Sequence, residues 1–140
     1  MRKKLLCGAI ILSLLFANAL AAFPNVVITD LDGTERYEKI TNLSSRLSIS
    51  SNGYATCACT VTLRPGYNAD VTVTLYEILS SGLSYVDSWN YHGSGITGVN
   101  KSNGCYVDHG TYIVITSTYV TDSAGNYVES PSMRSNTVIY

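Results

Sequence analysis

From Leu43 to Tyr140 the apolar residues recur at every second position, in short runs broken by turn signals, and no stretch carries a helical apolar period. Successive side chains of a strand point to opposite sides, so this pattern builds pleated strands with one dry face and one wet face. "LSSRLSIS" puts Leu43, Ser45, Leu47 and Ile49 on one side, and "YATCACTVTL" does the same with Ala55, Cys57, Cys59, Val61 and Leu63. "DVTVTLYEIL" alternates Val71, Val73 and Leu75, and "TYIVITSTYV" (111–120) is the strongest strand signal. The turns between them are "SNG" (51–53), "RPGYN" (64–68), "SSG" (80–82), a glycine-rich stretch from Gly93 to Gly104, and "DSAGN" (122–126). Gly, Asn, Asp and Pro favour such positions for backbone reasons. About seven short strands with frequent turns predict an all-β, antiparallel, immunoglobulin-like β-sandwich over 39–140.

A local pattern fixes the phase of the strongest strand. "DHGTYIV" sets Asp108, Gly110 and Tyr112 at the D-x-G-x-Y spacing that opens the penultimate strand of immunoglobulin-like sandwiches. There the tyrosine turns inward and its hydroxyl bonds upstream backbone. With Tyr112 inward, Val114, Thr116, Thr118 and Val120 follow it, and Ile113, Ile115 and Tyr119 face outward. On the neighbouring strand, Val71, Val73 and Leu75 inward leave Tyr76 and Ile78 outward. Tyr76, Ile78, Ile113, Ile115 and Tyr119 would then form a contiguous apolar patch, which monomers seldom leave bare.

The chain of 140 residues is 46% hydrophobic and 14% charged, which suits one globular domain. It opens on Arg2, Lys3 and Lys4, an apolar run from Leu5 to Phe16, and small residues at Ala17, Ala19, Ala21 and Ala22. This is the pattern of a secretory signal peptide over 1–22, with cleavage after Ala19, Ala21 or Ala22. The run is shorter than the roughly 20 residues of a membrane span. An N-terminal arm occupies 23–38. Removal of the leader leaves six basic side chains against ten acidic ones, scattered, so no basic patch is offered to nucleic acid.

The stretch "VVITDLDGT" (26–34) resembles the first motif of the haloacid-dehalogenase phosphatases, in which the first aspartate attacks a phosphoryl group. That chemistry needs a parallel sheet with crossover helices, a later lysine and a late acidic pair for Mg²⁺. The text after Thr34 supplies antiparallel strands and no adjacent acidic pair. A calcium loop built on Asp30 and Asp32 lacks its later acidic ligand, since Glu35 and Glu38 are too near. The motif therefore reads as a turn in the arm. No Gly-rich elbow presents a serine nucleophile, and the adjacent Asp108 and His109 point opposite ways on a strand. A non-enzymatic chain without cofactor or metal is expected.

Three cysteines follow the leader. Cys57 and Cys59 lie two apart on one strand face, which is not the spacing of a redox pair, and only His92 and His109 could join them on a metal. Outside the cytoplasm such thiols tend to oxidise. A disulfide from Cys57 or Cys59 to Cys105 is expected, with Cys57–Cys105 favoured. It would contribute about 3–4 kcal/mol by chain entropy.

The elements "LSISSNGYATC", "VDSW", "GTYIV" and the terminal "NTVIY" together resemble a family of small secreted proteins without established activity from Gram-positive gut bacteria. The resemblance spans about Tyr37 to Tyr140 and implies a fold and an extracellular location only. Three functions fit the residues. The first is a recognition module that docks a protein partner, or a second copy of itself, through the face holding Tyr76, Ile78, Ile113, Ile115 and Tyr119. The second is a glycan-binding module that stacks sugars on Trp89 with Tyr85 and Tyr91. The third is a small secreted inhibitor or toxin presenting "RPGYN" or the Gly93–Gly104 stretch.

Overall fold

Alternation becomes strand wherever it occurs in the computed structural model, which describes residues 28–29 and 37–140. The expected signal peptide, Cys7 and the Asp30 to Thr34 motif lie outside the described residues, as does most of the 23–38 arm. Ten strands run in order: β1 (Ile28–Thr29), β2 (Ile40–Ile49), β3 (Tyr54–Leu63), β4 (Tyr67–Leu79), β5 (Gly82–Ser94), β6 (Val99–Tyr106), β7 (Thr111–Asp122), β8 (Tyr127–Glu129), β9 (Ser132–Arg134) and β10 (Val138–Ile139). There is no helix among the described residues.

The strands form two sheets, β2-β3-β6 and β5-β4-β7 with β8, β9 and β10 all paired to the far side of β7. Those three short strands meet successive parts of β7, at Val120–Thr121, Ile115–Ser117 and Thr111–Tyr112. They are one final strand broken twice. Pro131 sits at the first break, where its ring has no N–H to give the ladder, while its carbonyl accepts from the Thr118 amide at 2.9 Å. β1 adds in parallel to β9, and every other pairing is antiparallel. The chain crosses between sheets after β3, β5 and β6, which gives an all-β sandwich of two sheets.

The predicted inward sets meet in the middle. Leu43, Leu47, Ala55, Cys57, Cys59, Val61 and Leu63 of the small sheet pack with Val71, Val73, Leu75, Tyr112, Val114 and Val120 of the large one. Thr116 and Thr118 are also buried, and each is satisfied. The Thr116 hydroxyl donates to Ser45 Oγ at 3.0 Å, a link between sheets, and the Thr118 hydroxyl donates to the Pro131 carbonyl at 2.7 Å. Glu129 on β8 accepts from the amides of Glu38, Lys39 and Ile40, and so fixes where β2 begins.

Tyr112 stands at the corner before β7 as its spacing predicts. It is 3% exposed, and its hydroxyl donates to the Asp108 carbonyl at 2.8 Å. Gly110 exchanges two backbone hydrogen bonds with Tyr140, which ties the chain's last residue to the same corner.

Candidate functional site

The outer face of the large sheet carries the predicted patch, and the register shows how its members are arranged. Tyr76 lies opposite Ile113, Thr74 opposite Ile115, and Asp70 opposite Tyr119. All five predicted residues therefore share the outward face. They do not form the bare patch expected of them. Ile113 is 1% exposed and Ile115 is 8% exposed. The reason is position: β7 is flanked by β4 on one side and by β8, β9 and β10 on the other, with Arg134 opposite Ile115. Tyr76 and Ile78 are half-buried, and Tyr119 stands apart near the other end of β7.

The exposed apolar surface of this face sits lower, on the β4–β5 hairpin. Leu83 pairs with Ile78 and Tyr85 with Tyr76. Leu83 is 47% exposed and Tyr85 62%. A β-bulge produces this arrangement. The register passes from Leu75 opposite Asp87 to Tyr76 opposite Tyr85, so Val86 is an extra residue in β5. Above the bulge the odd-numbered residues of β5 point in, and below it they point out. Strict alternation places Tyr85 with Trp89 and Tyr91, so reading the residues without the bulge misses the outward turn of Leu83 and Tyr85.

The same bulge corrects the proposed glycan-stacking set. Trp89 and Tyr91 oppose Val73 and Val71 and pack against the core, whereas Tyr85 faces solvent on the opposite side of the sheet. The three rings do not share a face.

The expected disulfide is absent, and Cys57, Cys59 and Cys105 are free thiols. The β3–β6 register gives the cause. Ala55 lies opposite Cys105, Cys57 opposite Asn103 and Cys59 opposite Lys101. Cys57 and Cys105 are thus diagonal neighbours, about 7–8 Å apart and somewhat less at Cβ. A bridge needs Cβ atoms about 3.5–4.5 Å apart. Cys59 is one further step away. Burial pushes the Cys57 thiol up to about 12, with Cys105 and Asp87 nearby adding to the effect. Burial also raises Cys59 and Cys105. The thiolate is the reactive form, so these are poor nucleophiles. Among the described residues no three His, Cys, Asp or Glu side chains are grouped to hold a metal ion.

Two loops singled out in the sequence do come together. The β3–β4 loop and the β5–β6 loop border a cleft of about 520 Å³, lined by Pro65, Tyr67, Ser94, Ile96 and Ser123. The loops are braced by backbone: the Gly95 amide donates to the Tyr67 carbonyl and the Leu63 amide to the Gly95 carbonyl, both at 3.0 Å. The β7–β8 turn beside them is organised by Asp122. Its carboxylate accepts from the amides of Ala124 and Asn126 at 2.9 Å and from the Asn126 side chain at 3.0 Å. Those bonds, the Asn126 side chain first, hold Asp122 below the usual carboxylate range.

No protein-family model matches the chain, and no curated protein matches it. The all-β, two-sheet architecture therefore stands on the strand order, the crossovers and the tyrosine corner.

Proposed function

We propose that the chain is an exported, non-catalytic recognition module that docks a protein partner through the outer face of the β4–β5 hairpin. One observation carries the reading: Leu83 and Tyr85 are 47% and 62% exposed and adjoin Tyr76 and Ile78 on the same face of the hairpin. An apolar cluster of this kind on a rigid sheet is what partners bury, and tyrosine supplies contact area at low entropic cost. The export half rests on the basic, apolar and small-residue order of 1–22 and on the resemblance to a family of small secreted proteins.

The test is affinity capture from the fluid into which the protein is exported, run in parallel with sedimentation of the protein alone. Wild type is expected to capture a defined protein, and a Leu83→Lys plus Tyr85→Ser variant with unchanged melting temperature is expected to lose it. Self-association lost by the same variant would make the partner a second copy. Equal capture by both forms would reject the hairpin as the docking surface.

A further inference from the structure

The upper half of the large sheet's outer face has a different character from the hairpin. Three strands put one residue each into a single row, His92 on β5 opposite Asp70 on β4 and Asp70 opposite Tyr119 on β7, and Tyr127 on β8, in register with Thr121, packs diagonally against Tyr119. His92 Nδ1 and Asp70 Oδ1 are 2.7 Å apart, and both side chains stand well out in solvent. The Tyr119 and Tyr127 rings have centroids 5.2 Å apart at 41° and are 47% and 58% exposed. The next outward row holds Asn90, Thr72 and Ser117. There the Thr72 hydroxyl donates to Asn90 Oδ1 at 2.7 Å, which aims the Asn90 amide group outward as a donor.

We infer that these two rows form a binding site for a neutral oligosaccharide of pyranose rings. Three features of the surface select that ligand. The exposed tyrosine rings offer flat apolar faces, and a pyranose has a C–H face that packs on such a ring. Beside them lie groups of both hydrogen-bonding senses: Asp70 Oδ2 accepts, the Asn90 amide donates, His92 Nε2 accepts because Nδ1–H faces Asp70, and the tyrosine hydroxyls do both. Among the described residues, none of these atoms is engaged by another side chain at hydrogen-bond distance. Sugar hydroxyls need that mixture. Finally, the rows contain no lysine or arginine, so an anionic sugar finds no countercharge there. At about 4.8 Å per strand, the span from β5 to β8 runs roughly 14 Å, the reach of a short oligosaccharide lying across the strands.

This site is separate from the hairpin patch and does not rest on it. Asp70 and Ile78 stand at opposite ends of β4, roughly 27 Å apart by strand rise.

The experiment is binding of the full chain to a panel of immobilised neutral oligosaccharides (gluco-, manno-, galacto- and xylo-configured), followed by titration with the free sugar that retains it. Wild type is expected to be retained by at least one. Tyr119→Ala and Asp70→Ala should each weaken binding by about tenfold or more, the scale of one lost ring contact or charge-assisted hydrogen bond. Asp70→Asn, which keeps one acceptor, should lose less, and the Leu83→Lys control should bind as wild type does. Melting temperatures equal to wild type show that the variants are folded. Failure of wild type to bind any neutral sugar, retention only on charged glycans, or binding indifferent to both Tyr119→Ala and Asp70→Ala would each overturn the assignment.

Discussion

Tyr112 acts on both the core and the chain path. Its ring fills the end of the sandwich, and its hydroxyl, 2.8 Å from the Asp108 carbonyl, pins the turn that leads into β7. Removing the hydroxyl alone leaves a carbonyl without its partner next to a ring that still packs. Tyr112→Phe is therefore expected to cost about 1–2 kcal/mol in urea unfolding, with unchanged cooperativity. A loss of less than a few tenths would show that the corner bond is not structural. The buried hydroxyls tell a similar story. Thr116 takes a β-branched place in the core and returns its polar atom to Ser45 on the facing sheet. This inward set was legible in the sequence, because D-x-G-x-Y sets one phase and strict alternation carries it through Val120. The thiol pairing was not legible. Bridging distance depends on whether two cysteines are opposite or diagonal, and nothing in "TCACT" or "GCY" reveals the β3–β6 register.

At the scale of elements, the two features that alternation misses both concern neighbours. β7 reads as a strand with one wet face, yet it lies inside the large sheet, and Ile113 and Ile115 on that face are covered. β5 reads as a regular strand, yet Val86 is an extra residue that turns Leu83 and Tyr85 outward. The bulge has a second consequence. β5 is the free edge of the large sheet, thirteen residues long and without proline or lysine. A bulge and the inward-pointing Asp87 are two of the devices that keep such an edge from pairing with another chain. The loops are specified more tightly than their composition suggests. Gly98 has φ +51°, and a Cβ there would stand 1.9 Å from the Val61 carbonyl oxygen, whereas Gly66 has φ +86° with open space around it. Gly66→Ala is expected to cost about 1–2 kcal/mol, the strain of the left-handed backbone alone. Gly98→Ala should cost clearly more, because β3 must also move aside. Equal melting temperatures for the two variants would argue against the close approach of the β5–β6 loop to β3.

At the scale of the whole molecule, one sheet serves two purposes. Its inner face closes the core against β2, β3 and β6. Its outer face divides into a central buried strip over β7, an exposed apolar hairpin below, and a polar row with paired tyrosines above. The small sheet has one exposed tyrosine pair, Tyr54 opposite Tyr106 with ring centroids 5.1 Å apart, and its other exposed positions are mostly Thr, Asn, Ser, Lys and Arg. Both proposed binding surfaces lie on the large sheet, and the boundary between what holds the fold and what stands exposed on that face falls between Ile115 and Leu83. Equilibrium unfolding of Ile115→Lys beside Leu83→Lys tests that boundary most directly. A lysine at Ile115 buries a charge without a partner and is expected to cost about 3 kcal/mol or more. A lysine at Leu83 should change stability by no more than about 0.5 kcal/mol, as a surface substitution does. Comparable losses at the two positions, or a harmless Ile115→Lys, would contradict the division of this face.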